Sequence, residues 1–436
     1  MIKGSKLLKG IEIMDIQAIL AGLHDCPCGK DHPCDIRYVE LGKDVLLRLD
    51  EICRPFSRIL LVSDGNTYPL CGDKTKKILG DKVVSEMQFG KETVVPNEDA
   101  IARIEGQMVD GTDFIIGIGS GVINDLCKHV SFAHGIRYAI IATAPSMDGY
   151  ASVGAALILE EMKVTLNARV PYAILAEDDV VCTAPVDMLQ SGYGDIVGKY
   201  SCLNDWKLAH LLRNEYFCDF VYNYVINTVK NTEATAKAVL VREPAAIRNL
   251  MEGLVSVGIM MSYVGNSRPA SGSEHHLSHF FEITGLLNHM PYYLHGIDVL
   301  YSAAVTAQLR EKLQTVKKPL VSAIPNEATR QEQIKLIYSS ASDGILALQK
   351  KVGFYDELNI QALDERWDEI CEVLSGAPTY KTMLGYLDAI GLNIHEFDAF
   401  YGKETIRDAL LYAKDLKDRY TVLWLGFALG IDCFEA

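Results

Sequence analysis

The sequence predicts an α/β N-terminal domain built on a parallel, doubly wound sheet, followed by an all-α C-terminal domain. Two observations predict it. From Arg58 onward short apolar runs alternate with helical stretches, the pattern of parallel strands joined by crossover helices. After about Pro185 long segments keep a helical period and strand-like runs become few. A chain of 436 residues also exceeds one ordinary core. The expected domains are 1–185 and 186–436.

The elements follow in order. RILLVSD, residues 58–64, reads as a buried strand ended by an acid, and a helix follows to about Leu79. KVVSEMQF is the next strand, and a helix runs from about Asn97 to Val109. DFIIGIGSG is a strand running into glycines, VINDLCKHVSFAHG a helix and RYAIIATAP a strand. ASVGAALILEEMKVTLNARVPYAILAEDD then has the pattern of a hairpin and a final strand.

Composition narrows the function. Hydrophobic residues at 49% and charged residues at 23% describe a soluble chain with apolar mass for two cores. A net charge of −15 without a Lys/Arg-rich block repels phosphodiester backbones and argues against nucleic acid, though a local pocket can still take a small anion. No uncharged apolar run approaches the ~18–20 residues of a membrane span. The segment MIKGSKLLKGIEIMDI lacks a leader's cleavage pattern. Eleven cysteines, mostly scattered singly, suit reduced thiols in the cytoplasm better than a disulfide framework.

One cysteine cluster stands apart. HDCPCGKDHPCD supplies His24, Cys26, Cys28, His32 and Cys34. These residue types bind zinc, but Cys-x-Cys is not the usual spacing of a zinc knuckle, so no metal is assigned to it.

In GIGSGVINDL, Gly117, Gly119 and Gly121 sit where a strand ends and a helix begins. Glycine there lets backbone approach a ligand, and the helix N-terminus favours a phosphate. The spacing is G-x-G-x-G rather than G-x-G-x-x-G, so a tight turn explains it as well. A second Gly/Ser-rich turn, TAPSMDGYAS, follows the next strand at the same expected sheet edge, which favours a nucleotide site. Asp64, ending the first clear strand, suits a ribose hydroxyl and tilts the cofactor toward NAD over NADP.

SGSEHHLSHFFE places His275, His276 and His279 within five residues, in a chain with eleven histidines. On a helix over 273–287, His275 and His279 share a face at i and i+4, while His276 points about 100° away. Imidazoles holding a divalent ion want a carboxylate beside them, and Asp195 in SGYGDIVGKY is the candidate.

Together GIGSGVINDL, TAPSMDGYAS, GYGDIVGKYSCLNDWKLA, PASGSEHHLSHFFE and LHGIDVLYSA resemble the sn-glycerol-1-phosphate dehydrogenase branch of a superfamily. That superfamily also holds iron-containing alcohol dehydrogenases, glycerol dehydrogenase and dehydroquinate synthase. The resemblance runs from about residue 36 to at least 310. It implies a Rossmann-like N-terminal domain in a dehydroquinate synthase-like fold. It implies metal ligands at Asp195, His275 and His295, with His279 and Asp148 contacting substrate. It implies cofactor contacts at Gly119, Ser120, Gly121, Val122 and Ile123, at Thr143, Ala144, Pro145 and Ser146, and at Ser152. Pro145 departs from the small residue more usual in that turn. His276 and His289 are left as structural.

The implied reaction is reversible reduction of dihydroxyacetone phosphate to sn-glycerol 1-phosphate by NADH or NADPH. The implied ion is divalent, Zn²⁺ before Ni²⁺ or Fe²⁺. It would polarise the ketone, with Asp195 at the centre and either His279 or Asp148 relaying the proton. Lys199, taken to share a helical face with Asp195, and Arg268 are candidates for the substrate phosphate. A homo-oligomer, such as a dimer, is expected. The alternatives are a glycerol or polyol dehydrogenase of the same superfamily and a dehydroquinate-synthase-like lyase or cyclase.

Overall fold

The computed structural model describes residues 2–3, 15–160, 162–321, 325–356 and 360–431. Residues 4–14, within the segment read above for a leader, lie outside the described residues. No described helix is long and apolar enough to cross a membrane.

Six strands form one parallel sheet: β1 (Tyr38–Gly42), β2 (Ile59–Ser63), β3 (Val83–Gln88), β4 (Phe114–Gly119), β5 (Arg137–Ala142) and β6 (Ala173–Glu177). Their spatial order is β1-β6-β5-β4-β2-β3. The register runs straight through its centre, with Ile59 opposite Phe114 and Phe114 opposite Arg137. Central strands of such a sheet are covered on both faces, which is why ILLVS and FIIGIG are apolar without alternation. Phe114, Ile116 and Ile118, with Ile59, Leu61 and Ile141, make one face of the core. Each such side chain contributes about 1.5–3 kcal/mol by leaving water. On the other face, Gly117 faces Cys127 and Ile123 of the helix Gly121–Ala133.

The chain direction reverses between β2 and β4. From β2 the chain steps outward to β3, then crosses to the other side of β2 for β4, β5 and β6. In an open parallel sheet, ligands bind outside the strand C-termini at this switch. The hairpin of residues 154–159 and 162–167 is antiparallel, as expected, and stays outside the main sheet. β1 is a strand the periodicity does not reveal, because its residues alternate only in part between core and surface.

The chain divides into two compact units: Met1–Ile196 with Asn223–Ser267, and Val197–Tyr222 with Arg268–Ala436. A single boundary near 185 does not describe this. The helix Pro244–Val264 belongs to the first unit because it packs on the turn Asp148–Ala151, where a Cβ at Gly258 would lie 2.7 Å from the Asp148 carbonyl oxygen. The second unit holds the helices Lys199–Arg213, Ser273–Leu287 and His295–Gln314.

Candidate active site

In the first unit the strand ends around the switch are tied to one another. Asp64 Oδ1 accepts from Asn66 N and Thr67 N, both at 2.8 Å, and Thr67 Oγ1 donates to Ile118 O at 2.8 Å. Thr143 N donates to Gly119 O at 3.1 Å. The three glycines of GIGSG divide their work. A Cβ at Gly119 would sit 2.5 Å from Ile123 Cβ, and one at Gly117 would sit 3.0 Å from Cys127 Sγ, so both let the helix pack close on the strand. Ser120 caps this 13-residue helix without a side-chain hydrogen bond to it. The first-turn N–H groups of Gly121, Val122 and Ile123 therefore face out along the helix axis, the arrangement that receives a phosphate.

The turn after β5 carries Thr143–Ser146 and then Asp148. Tyr150 Oη donates to Ala144 O at 2.7 Å, and Ser191 Oγ donates to Ser146 O at 2.9 Å. Gly192, in the helix Val186–Val197, leaves no room for a side chain, since a Cβ there would meet Pro145 O at 1.8 Å. That close approach delivers Asp195, which is fully buried and accepts the Asp148 N–H at Oδ2, 2.9 Å away. Asp148 itself is 8% exposed.

Lys128, fully buried, holds the far side of this turn. Its ammonium donates to Gly149 O and Gly154 O, both at 2.8 Å, with Ser152 Oγ at 3.4 Å. Burial pulls its pKa down, and Asp125 at 3.4 Å opposes that. Ser152 Oγ also bonds Gly149 O at 3.1 Å, so this hydroxyl shapes the turn.

The second unit presents the histidines. The helix Ser273–Leu287 forms where the sequence predicts it. Its start is anchored by Asp205, whose Oδ2 accepts Ser273 N at 2.7 Å while Oδ1 takes Arg310 at 2.8 Å and Val422 N at 2.9 Å. Gly272 is needed there because a Cβ would fall 2.6 Å from Cys202 Cα. From this base His275, His279 and His295 gather, with ring centroids 5.0 Å (His275–His295), 5.6 Å (His279–His295) and 6.1 Å (His275–His279) apart. His276, pointing off this face, is fully buried, and burial pushes its pKa well below the usual value, which keeps it neutral. His289 is exposed, with φ of 54°.

Glu274 sets the tautomer of His275. The Nδ1–H of His275 donates to Glu274 Oε1 at 2.6 Å, which leaves the lone pair on Nε2. Glu274 is fully buried; burial raises its carboxyl pKa, while the Gly272 N–H, Lys199 and Arg310 oppose that. A carboxylate behind an imidazole is the usual outer support of a metal-ligating histidine. Within the second unit the donors thus fit a divalent ion: a carboxylate-held histidine with a second imidazole beside it.

Two sequence expectations change. Lys199 does not share a helix with Asp195; Gly198 ends the first helix, and Lys199 starts the next, fully buried. Arg268 is interior, pairing with Glu215 at 2.8 Å and donating to Tyr420 O at 2.7 Å. Burial spends its charge on the fold. Sequence reading missed Glu274, Lys128 and Gly192. Only the first had a visible signal, a carboxylate adjoining a candidate ligand.

A family model for iron-containing alcohol dehydrogenases matches residues 40–185. A glycerol-1-phosphate dehydrogenase [NAD(P)+] of Geobacillus thermodenitrificans is 31% identical over 319 residues, covering 69% of this chain and 78% of that protein. The chain belongs to the glycerol-1-phosphate dehydrogenase family. A member from Pyrococcus horikoshii is 33% identical over 280 residues, 60% of this chain and 79% of that one. The solved structure of an alcohol dehydrogenase from Oenococcus oeni shares the fold at a TM-score of 0.60, with 13% identity over 89% of this chain and 94% of that one. As a member of this family the chain is an oxidoreductase that uses a nicotinamide cofactor and a metal.

Proposed function

We propose that this chain reduces dihydroxyacetone phosphate reversibly to sn-glycerol 1-phosphate with NADH or NADPH. Asp195, His275 and His295 would hold one divalent ion, for which zinc is the first choice and nickel or iron the alternatives. Family membership supports the reading, and the single structural observation that carries it is Glu274 fixing His275 beside His295 and His279.

When bound, the ion supplies Lewis acidity to a ketone, and the nicotinamide supplies hydride. The protein's residues do the rest. Gly121, Val122 and Ile123 offer N–H groups to the cofactor's phosphates, and the turns at Gly119–Ser120 and Thr143–Ser146, with Ser152 behind them, shape its seat. Asp64 uses Oδ1 to hold its own turn, and its charge disfavours a 2′-phosphate. His279, beside both candidate ligand rings, gives a proton to the substrate oxygen as the carbonyl becomes an alcohol and takes it back in reverse. Asp148 accepts a hydrogen bond from a substrate hydroxyl and, through its N–H, keeps Asp195 in place.

The test is oxidation of NADH and NADPH by metal-loaded protein with dihydroxyacetone phosphate, then the reverse reaction with each glycerol phosphate enantiomer. Turnover, and reverse activity with the sn-1 enantiomer alone, is expected. Activity confined to unphosphorylated glycerol would mean a polyol dehydrogenase instead. Consumption of a phosphate ester without net change in NADH would mean a lyase or cyclase.

A further inference from the structure

We propose a second metal site, for a structural zinc ion, in the loop of residues 23–32, with Cys26, Cys28 and His32 as protein ligands. It is independent of the reaction proposed above.

The loop is built like a metal knuckle despite its Cys-x-Cys spacing. Its ends are closed by an antiparallel bridge in which Leu23 N donates to His32 O at 3.0 Å and His32 N to Leu23 O at 2.8 Å. Within it, Gly29 N donates to Cys26 O at 2.9 Å, closing a tight turn over Pro27 and Cys28. Asp25 and Gly29 take the left-handed region, with φ of 55° and 83°. The result brings a ligand atom from each of Cys26, Cys28 and His32 within 4.8 Å of the others. A helix could not do this from a Cys-x-Cys pair, because residues two apart on it do not face each other.

His32 is in the tautomer a metal needs. Its Nδ1 lies 2.8 Å from Tyr263 O, and a carbonyl can only accept, so Nδ1 carries the proton. Nε2 then carries the lone pair, and it faces Cys28 Sγ at 3.3 Å. The ring is fully buried and stacked on Tyr263, with centroids 5.2 Å apart and planes 7° from parallel. A backbone carbonyl behind a buried imidazole is a recurring outer support of zinc ligands. The remaining members of the sequence cluster fall outside the group: His24 pairs with Asp31 at 3.4 Å on the surface, and Cys34 is not among the converging donors.

Two thiols and one neutral imidazole are soft, nitrogen–sulfur donors, the chemistry that selects zinc over magnesium or calcium. Binding would release the two thiol protons, and the two thiolate charges would balance that of the divalent ion. A fourth position is filled by a further donor or water. The site would tie an otherwise irregular loop to Tyr263 at the end of the helix Pro244–Val264.

The test uses the full chain expressed in zinc and examined by zinc X-ray absorption, then loaded with cobalt(II). Sulfur in the zinc shell at about 2.3 Å, alongside nitrogen at about 2.0 Å, is expected. A thiolate-to-cobalt charge-transfer band should appear in the near ultraviolet. The Asp195/His275/His295 set contains no sulfur, so His295→Ala should keep this band whatever becomes of the reaction. Cys28→Ser should lose the band and about one metal equivalent per chain, while Cys34→Ser should keep both. If Cys28→Ser does not fold, the wild-type spectra decide. A metal-replete protein without sulfur in its zinc shell and without the charge-transfer band would overturn the proposal, as would a band abolished by Cys34→Ser and kept in Cys28→Ser.

Discussion

Glu274 has no direct contact to make with a substrate in the scheme above, yet it decides which nitrogen of His275 is available. Glu274→Gln keeps the size and an acceptor oxygen but removes the charge that strengthens the imidazole as a ligand. Divalent-ion affinity should fall about 10–100-fold, read by competition with a chromophoric chelator. An unchanged affinity would show that the pair is structural alone. Asp64 offers a second test at this scale. Because its Oδ1 holds the turn through Asn66 N and Thr67 N, Asp64→Asn preserves an acceptor there and deletes the charge. The ratio of kcat/KM for NADPH over NADH should rise about tenfold, since a charge within several ångströms of a 2′-phosphate is worth roughly 1 kcal/mol or more. A ratio that does not move would place the ribose elsewhere.

At the scale of elements, glycines separate helices that must approach from helices that need not. Gly192 brings the helix Val186–Val197 against the Pro145 carbonyl and thereby places Asp195. Gly192→Ala must push that helix away, and a loss of about 3 kcal/mol of stability with most of the activity is expected. Gly385, in the helix Tyr380–Ala389, is exposed with nothing within 4 Å of an added Cβ. Gly385→Ala should stabilise by about 0.5–1 kcal/mol, because alanine has less backbone freedom to lose. Thermal melts and turnover of the two variants side by side check both; equal effects would remove the packing argument for Gly192.

For the molecule as a whole, the net charge of −15 opposes any anionic cofactor or phosphorylated substrate at long range. Salt shortens the reach of that repulsion from about 30 Å at 0.01 M to about 8 Å at 0.15 M. At subsaturating NADH, kcat/KM should therefore rise roughly two- to threefold over this range. A steep fall instead would show that a local positive field at the strand ends outweighs the global charge.

What the sequence determined by itself follows from local periodicity and from motifs contiguous along the chain. The strands from 59 to 177, the helix Ser273–Leu287 and the glycine turns at Gly119 and Thr143 were legible because strand and helix repeats, and glycine at a strand end, are local properties. Asp195, His275 and His279 were legible as candidates from residue type and helical spacing, while His295 and the division of roles came from a family resemblance carried by short motifs. The tertiary structure decided what depends on approach across the sequence. It placed β1 at the sheet edge beside β6, and it joined residues 223–267 to the first unit. It also turned Arg268 from a phosphate candidate into an interior ion pair with Glu215. Glu274 behind His275, Lys128 under the Gly149 turn and His32 against Cys28 are likewise its assignments. Whether a charge or an imidazole is spent on the fold or kept for chemistry depends on what lies within hydrogen-bond reach of it, and spacing along a chain does not contain that distance.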